Sequence, residues 1–376
     1  MRAVEFVDTI EQILETGFYA GVPDSLLSPF TGEIMKRYGV SEKHIVAANE
    51  GNAVGLAAGY HLATGKTACV YMQNSGQGNA LNPYASLLAP EVYRIPCVFV
   101  IGWRGMPGVK DEPQHVFQGQ ITASLMQLLE IQTEIITEKM TKAKLASVCE
   151  RFAECLAEGK CTAFIVEKGA LKEDDGIVYT NPYQIKREAV LSEIVKYTGQ
   201  DIIVSTTGKA SRELFEIRER NGQTHEYDFL TVGSMGHSSS IALAIALQKK
   251  KQKVWCIDGD GAVLMHMGAM AVVGANAPEN LVHIVINNEA HETVGGMPTV
   301  SGSVDFSKIA AGCGYRKILK ATTLEEVASA MEEAKVSSVL TFMEIETALG
   351  ARRDLGRPST TAQENKNSFM EYMRGI

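Results

Sequence analysis

A short turn and an amide pair stand out because their residue types and spacing suit the binding of a metal ion together with phosphate. The turn Gly259-Asp260-Gly261 ends one apolar run, and Asn287-Asn288 ends the next. If both runs are parallel strands, Asp260 and the asparagines lie at neighbouring carboxyl ends, where open α/β sheets bind ligands. A carboxylate and an amide oxygen suit Mg²⁺, and the glycines let the backbone approach a phosphate closely. The sequence therefore predicts a site for Mg²⁺ and a diphosphate.

Glu50 is a second candidate for chemistry. It follows a short apolar run and begins a helix of small residues, 51–62. A glutamate at a helix start is often only a favourable partner of the helix dipole, but the apolar surroundings here make an ionisable group a functional candidate. The glycine-rich polar turn 74–79, which contains Gly76, follows the next apolar run. The small residues of the helix also predict close helix packing, for example at a subunit interface.

Further polar side chains follow two other apolar runs and are candidates for substrate binding. Asp24 and Ser25 come after the run 18–22, where capping of the next helix is an equally good interpretation. Arg104, Lys110 and His115 lie in a polar loop after the run 98–102, a type of loop that often carries function in α/β folds. Each of these residues taken alone is also compatible with an ordinary solvated surface.

Two histidines and two tail arginines complete the candidate set. His115 and His291 are the predicted acid/base groups, because histidine exchanges a proton near neutral pH. A loop histidine without a function is the competing interpretation for each. Arg353 and Arg357 are candidate ligands of an anionic substrate group, since arginine matches carboxylate and phosphate oxygens bidentately. For these tail residues ordinary solvated charge is the more common explanation.

The order of apolar runs, turns and helical patterns predicts two similar α/β domains with open, mostly parallel sheets. We expect the first domain at 1–175, a linker at 176–185 and the second domain, with a tail, at 186–376. A single constant offset lays the turn 76–78 on 259–261 and Glu50 on Gly233. An internal repeat of strands, turns and small-residue helices therefore relates the two halves.

The bulk composition limits the class of protein. Of the 376 residues 45% are hydrophobic and 21% are charged, and the net charge is −8, so nucleic acid is not an expected partner. The seven cysteines form no C-x-x-C pair, which favours reduced thiols over disulfides or zinc. We see no signal peptide and no long uncharged apolar run. We therefore expect a cytoplasmic location and no membrane partner.

These motifs resemble those of the thiamine diphosphate-dependent enzymes, in which Gly-Asp-Gly is followed by Asn-Asn at the spacing seen between 259–261 and 287–288. The resemblance implies binding of Mg²⁺ by Asp260, Asn288 and the backbone carbonyl of Ala290. Glu50 is similar to the glutamate that hydrogen-bonds the aminopyrimidine ring and activates the cofactor. The resemblance assigns further cofactor contacts to the segment Gly233-Ser234-Met235, where a backbone carbonyl and a bulky apolar side chain meet the cofactor, and to the glycines already described: Gly76, Gly259 and Gly261.

The form without a central third domain, with the motifs 21–25, 111–115 and 355–358, is similar to the phosphonopyruvate decarboxylase branch of that family. This resemblance implies non-oxidative decarboxylation of 3-phosphonopyruvate, a small anionic 2-oxo acid, to phosphonoacetaldehyde and CO₂ in phosphonate biosynthesis. Sulfopyruvate decarboxylation or carboligation is the alternative activity. A non-catalytic α/β binding protein is the alternative class, which retention of Glu50, Asp260 and Asn288 disfavours. The family's shared cofactor site implies a homo-oligomer, at least a dimer, with the site at the subunit interface.

Overall fold

A computed structural model describes residues 1–173 and 176–376 and divides the chain into two compact units, Met1–Val178 and Tyr179–Ile376. The expected end of the first domain at residue 175 lies outside the described residues. Among the residues described, no helix is long and apolar enough to cross a membrane.

The first unit is a parallel six-stranded sheet with helices on both faces. Its strand order is β2-β1-β3-β4-β6-β5. The elements are α1 (Ala3–Leu14), β1 (Tyr19–Gly21), α2 (Ser28–Tyr38), β2 (His44–Val46), α3 (Glu50–Thr64), β3 (Ala68–Gln73), α4 (Gln77–Pro83), β4 (Cys97–Gly102), α5 (Pro113–Leu128), β5 (Gln132–Ile136), α6 (Lys142–Ala157) and β6 (Thr162–Val166).

The second unit has a parallel six-stranded sheet of order β13-β14-β10-β9-β7-β8 and a short antiparallel pair, β11-β12. Its elements are α7 (Arg187–Thr198), β7 (Ile202–Ser205), α8 (Lys209–Arg220), β8 (Asp228–Leu230), α9 (Ser238–Gln248), β9 (Val254–Gly259), α10 (Asp260–Met265), α11 (Gly268–Asn276), β10 (Leu281–Asn287), β11 (Ala290–His291), β12 (Met297–Pro298), α12 (Phe306–Cys313), β13 (Lys317–Ala321), α13 (Leu324–Lys335), β14 (Thr341–Glu346) and α14 (Ala362–Gly375).

The two sheets have the same topology, which confirms the internal repeat and the two similar parallel sheets. Read from its other edge, the strand order of the second sheet is β8-β7-β9-β10-β14-β13. Each of these strands then corresponds in chain order to one strand of the first sheet. The starts of the first four strand pairs are separated by nearly the same length of chain. These pairs are Tyr19 and Ile202, His44 and Asp228, Ala68 and Val254, and Cys97 and Leu281.

Burial on both faces explains why the central strands are continuous apolar runs. Every residue of β4 and β6 is buried, as is every residue of β3 except its last. One apolar core fills each face of the first sheet: the side chains of Tyr71 and Val100 lie in one, and those of Val70 and Ile101 in the other. The carboxyl ends of these strands are thereby fixed at one edge of the sheet, where the polar turns begin.

Three helices were not expected from the sequence: α5, α12 and α14. The polar segment predicted as an active-site loop ends at Glu112, because α5 begins at Pro113, so His115 lies in the first helical turn. The tail after residue 352 contains α14, which begins with a capping box of Thr361 and Glu364.

Candidate active site

The predicted metal turn lies where β9 and β10 end side by side. Gly259 is opposite Ile286 in the parallel ladder, so Asp260 and Asn287 are the next residues at adjacent strand ends. Asp260, Asn287 and Asn288 are all buried. The structure therefore brings together the carboxylate and the amides that the sequence had singled out.

The Asp260 carboxylate is held by two hydroxyl groups that sequence reasoning missed. Thr299 Oγ1 donates to Asp260 Oδ2 at 2.6 Å, and Ser301 Oγ donates to the same oxygen at 2.8 Å. Burial raises the pKa of Asp260 to about 6, although these hydrogen bonds oppose the rise. A cation beside Asp260 would favour the ionised carboxylate in this buried setting.

The two asparagines differ in their partners. Asn287 Nδ2 donates to Glu344 Oε1 at 3.0 Å, and Asn287 Oδ1 accepts from the Glu289 backbone N–H at 3.1 Å. Asn288 Nδ2 donates to Glu292 Oε2 at 2.8 Å, and Asn288 Oδ1 accepts from the backbone N–H of Ala290 at 3.1 Å. Both amides are thus oriented by hydrogen bonds at each end.

The residues around Gly261 pack tightly against the position that a side chain would occupy. A Cβ at Gly261 would lie 3.1 Å from His291 Cε1 and 3.2 Å from Met235 Cε. His291 and Met235, predicted as acid/base group and cofactor contact, therefore both lie against the metal turn. Burial lowers the pKa of His291 to about 4, so its imidazole is neutral at physiological pH. The oxygen donor set and this close backbone packing fit a site for Mg²⁺ and a diphosphate.

The segment that contains Met235 is a tight turn with two residues of positive φ. Ser234 has φ +51° and Gly236 has φ +87°. A Cβ at Gly236 would lie 2.8 Å from the Ala262 carbonyl oxygen, so glycine is required on both steric and conformational grounds. This turn, which begins at Gly233, is thereby packed onto α10, the helix that starts within the metal turn.

In the first unit Glu50 is buried at the start of α3. Its carboxylate accepts a hydrogen bond from Asn79 Nδ2 at 2.7 Å, and burial raises the pKa of Glu50. A Cβ at Gly76 would lie 2.3 Å from Glu50 Oε1. Gly76, predicted as a cofactor contact, thus has a local role as well: it leaves room for the Glu50 carboxylate.

Asp24 lies at the carboxyl edge of the first sheet, after β1. Its Oδ1 accepts from Gln73 Nε2 at 2.7 Å, and its Oδ2 accepts from the Leu26 backbone N–H at 3.2 Å. The side chain is fully buried, and burial raises the pKa of Asp24. A Cβ at Gly102, the last residue of β4, would lie 2.0 Å from Asp24 Oδ2. Asp24 therefore has the strand-end position, but it does not cap the next helix: α2 begins at Ser28, its N-cap is Leu27, and no side chain among the described residues caps it.

Arg104 makes a two-pronged ion pair that was not foreseen. Its Nε donates to Asp111 Oδ2 at 2.8 Å, its Nη2 donates to Asp111 Oδ1, and its Nη1 donates to Ser25 Oγ at 3.2 Å. Burial alone would raise the pKa of Asp111, but hydrogen bonds from Arg104 and from the Glu112 and Gly105 backbone hold it well below its ordinary value. The structure joins Arg104 and Ser25, and pins the loop between Arg104 and Asp111.

His115 and Lys110 lie on or beside that loop. Burial lowers the pKa of His115 to about 4, and the positive charge of Arg104 adds to the shift. The His115 Nδ1 atom is buried and has no hydrogen-bond partner among the described residues. Lys110 is exposed.

Arg353 and Arg357 lie near the start of the tail, and both are exposed. The neighbouring Arg352 pairs with Glu188 of α7 at 3.1 Å and also with Glu216 of α8, and the Gly356 N–H donates to Glu216 Oε1. These contacts fix the start of the tail against α7 and α8. A role of Arg353 and Arg357 in substrate binding stays a prediction.

Comparison with family models connects this geometry to a known group of proteins. The model of the N-terminal thiamine pyrophosphate-binding domain matches residues 5–127, and that of the C-terminal thiamine pyrophosphate-binding domain matches residues 206–345. The chain belongs to the thiamine diphosphate-dependent enzymes. The segment that matches the N-terminal domain thus contains Glu50, and the segment that matches the C-terminal domain contains the turn Gly259-Asp260-Gly261.

Curated relatives within the family are similar over most of the chain. The phosphonopyruvate decarboxylase of Streptomyces viridochromogenes is 35% identical over 370 residues, which cover 94% of this chain and 90% of the relative. That of Streptomyces hygroscopicus is 32% identical, with 94% and 89% covered. The sulfopyruvate decarboxylase of Methanosarcina acetivorans is 28% identical, with 80% and 81% covered.

Proposed function

We propose that the chain is a thiamine diphosphate- and Mg²⁺-dependent carboxy-lyase that converts 3-phosphonopyruvate to phosphonoacetaldehyde and CO₂. The observation that carries this proposal is the similarity, at 35% identity over 94% of the chain, to a phosphonopyruvate decarboxylase. The local chemistry agrees, because each unit has a buried carboxylate, Glu50 or Asp260, at the start of a helix that follows a strand. The reaction belongs to phosphonate biosynthesis.

In this proposal Asp260, Asn288 and the Ala290 carbonyl hold Mg²⁺. The carboxylate, the amide oxygen and the carbonyl form the hard oxygen set that this ion prefers. Gly259 and Gly261 let the backbone approach the diphosphate. The cofactor segment is completed by the Gly233 carbonyl, Ser234 and Met235, whose turn packs onto α10.

Thiamine diphosphate, when bound, supplies the nucleophilic carbon and the electron sink that decarboxylation needs. Glu50 holds a proton at its carboxyl group for the aminopyrimidine ring, a role that burial supports because it raises the pKa of this group above its ordinary value. His115 and His291 are the candidate acid/base groups. Burial lowers the pKa of both, so each imidazole is neutral at physiological pH and would act as a weak base.

The substrate carries two anionic groups, which an acidic chain must bind with local donors. Arg104, Ser25 and Lys110 are the proposed donors in the first unit, and Arg353 and Arg357 are further candidates in the second. Asp24 is a further candidate at the carboxyl edge of the first sheet, and burial raises the pKa of its carboxyl group. Asp111 already pairs with Arg104 and neutralises much of its charge. We therefore expect Arg104 to bind the substrate mainly through hydrogen bonds.

Sulfopyruvate decarboxylation is a second candidate, supported by the 28% identity to the relative from Methanosarcina acetivorans. A sulfonate and a phosphonate share a tetrahedral oxygen arrangement, so the donors described above suit both. An assay of the purified protein with both acids and pyruvate, in the presence of thiamine diphosphate and Mg²⁺, distinguishes them. We expect the highest kcat/KM with phosphonopyruvate. Faster turnover of sulfopyruvate would favour the second candidate, and no CO₂ from any of the three acids would contradict both.

Replacement of Glu50 tests the proposed role of its carboxyl group. Glu50→Gln should lower kcat by roughly 10²- to 10⁴-fold, the usual contribution of acid/base catalysis, and leave thiamine diphosphate affinity close to wild type. Cofactor affinity measured by fluorescence quenching and kcat measured by CO₂ release separate the two effects. Full activity of this variant would contradict the assigned role.

We further propose a homo-oligomer of at least two copies, in which Glu50 of one copy and Asp260 of another serve the same cofactor. The family resemblance supports this arrangement. Sulfopyruvate decarboxylase relatives that are named as separate subunits support it too, because each subunit matches only part of this chain: 41% for one beta subunit and 23% for one alpha subunit.

A further inference from the structure

The orientation of the Asn288 amide is determined by its two neighbours. Asn288 Oδ1 accepts from the Ala290 N–H, and Asn288 Nδ2 donates to Glu292 Oε2. A flipped amide would point its NH₂ group at the N–H of Ala290 and its oxygen at the Glu292 carboxylate, so both contacts would become repulsive. The side on which the amide oxygen lies is therefore determined by the Ala290 N–H and by Glu292 together, and Glu292 is the only side chain of the two.

Glu292 is itself held by two cations. Arg187 Nη1 donates to Glu292 Oε2 at 2.5 Å, and Lys209 Nζ donates to Glu292 Oε1 at 3.0 Å. Both carboxylate oxygens of Glu292 thus act as acceptors.

Arg187 is anchored from its other side by Glu213. Its Nε and Nη2 atoms donate to the two Glu213 oxygens at 2.7 and 2.8 Å. Arg187, Glu213 and Glu292 are all at most 8% exposed as side chains, so the ion pairs are shielded from water. Two carboxylates balance Arg187 and Lys209, which removes the usual cost of an unpaired buried charge.

We propose that Glu292 is a positioning residue for the metal ligand Asn288: held by Arg187 and Lys209, it fixes the amide so that Oδ1 is presented to the cation. This inference rests on the proposed function, because it takes Asn288 as a ligand of Mg²⁺. Glu292 touches neither substrate nor cation in this role. Groups that orient a metal ligand typically contribute roughly tenfold to hundredfold to metal affinity.

The test measures binding of Mn²⁺, as a probe for Mg²⁺, to the full chain with thiamine diphosphate by electron paramagnetic resonance. Glu292→Gln should weaken Mn²⁺ binding by roughly 10- to 100-fold. Glu292→Asp keeps the charge but shortens the side chain, and should weaken binding as well. Wild-type affinity in either folded variant would overturn the proposal, and the shorter variant serves if Glu292→Gln does not fold.

Glu213→Gln is the matched control, because the Glu213 side chain is also shielded from water and binds the same arginine but does not contact Asn288. It should lower the melting temperature of the metal-free protein and leave Mn²⁺ affinity close to wild type. An equal loss of affinity in this control would mean that general disruption of the ion pairs, not orientation of Asn288, weakens the site, and would overturn the proposal.

Asp260→Ala separates this inference from the proposed metal site. It should abolish Mn²⁺ binding that depends on the cofactor. If Asp260→Ala binds Mn²⁺ as wild type does, the metal site itself is assigned wrongly. If Asp260→Ala loses binding and Glu292→Gln does not, only the role of Glu292 is refuted.

Discussion

At the scale of single residues, Gly76 has a steric role that its sequence context did not reveal. The glycine-rich turn suggested close approach to a cofactor, whereas the structure gives a nearer reason for glycine. A Cβ at this position would lie 2.3 to 2.5 Å from three Glu50 side-chain atoms: Oε1, Cδ and Cγ. Since these are the atoms on which the proposed chemistry depends, a methyl group at Gly76 must displace the Glu50 carboxyl group.

Gly76→Ala should therefore resemble a Glu50 variant. We expect kcat to fall by roughly 10²-fold, since a displaced acid/base group loses most of its contribution. Gly78→Ala is the matched control: a Cβ there meets nothing within 4 Å, and alanine is favoured over glycine within a helix. Steady-state CO₂ release from both variants measures the effect. Equal activities would show that Glu50 tolerates the added methyl group.

Asp260 and Asn288 were predictable from the sequence, whereas the residues that hold them were not. The first two follow apolar runs that are recognisable as buried strands, so their positions at the sheet edge could be predicted. Thr299 and Ser301 reach Asp260 from a loop much later in the chain, and Arg187 reaches Glu292 from a helix at the start of the second unit. No local pattern encodes such distant pairs, so they required the folded structure.

At the scale of elements, strands were easier to predict than the helices at sheet edges. The central strands are long apolar runs, whereas α14 has only two buried residues, Asn365 and Phe369. One of them is polar, so the usual apolar stripe is too weak to identify the helix. The capping box of Thr361 and Glu364 was the available signal. α5 was missed because its first turn is polar and continues the preceding loop.

Asn365 joins α14 to the edge strand β8 by hydrogen bonds. Its Oδ1 accepts from the Leu230 N–H at 3.2 Å, and its Nδ2 donates to the Asp228 carbonyl at 2.9 Å. These are backbone groups that an edge strand otherwise leaves unpaired. Asn365→Ala should lower the free energy of unfolding by about 1–3 kcal/mol, because buried groups lose their partners. Urea denaturation measures the change, with exposed Lys366→Ala as a control expected to stay within about 0.5 kcal/mol.

Because His44 is buried in the first sheet, we expect the stability of the first unit to depend on pH. Its Nδ1 donates to the Gly39 carbonyl at 2.6 Å, so its Nε2 accepts from the Tyr71 hydroxyl at 2.8 Å. Burial lowers the pKa of His44 below its ordinary 6.5. The folded state then binds fewer protons than the unfolded state, so this contribution is complete above pH 6.5 and is lost as the pH falls through the lowered pKa.

Urea denaturation at about pH 7.5 and about pH 5.5 checks this sign. Wild type should lose more free energy of unfolding between the two values than His44→Gln, which cannot take up the proton. A parallel loss in both proteins would assign the pH dependence to other groups.

At the scale of the whole molecule, the two units share a topology and differ in the residue that comes directly after the third strand of each. That residue is Asp260 after β9 and Asn74 after β3. The Asn74 amide is fully engaged: its Nδ2 donates to the Arg104 carbonyl and Thr122 Oγ1, and its Oδ1 accepts from the Arg104 N–H. The first unit thus lacks a carboxylate for a metal at that position and carries Glu50 elsewhere. The repeat was predictable from the order of apolar runs along the sequence. The different roles of the two units depend instead on the identity of single residues.

The division of roles leads to a test of the proposed oligomer. Glu50→Gln and Asp260→Ala should each be inactive, but a dimer of one copy of each contains one site with both native residues if the two groups come from different copies. Refolding the two variants together should then restore up to roughly a quarter of wild-type activity, because half of the dimers are mixed and half of their sites are intact. Each variant refolded alone is the control. If Glu50 and Asp260 serve the cofactor from the same copy, the mixture stays inactive at every ratio, because every site then lacks one of the two groups.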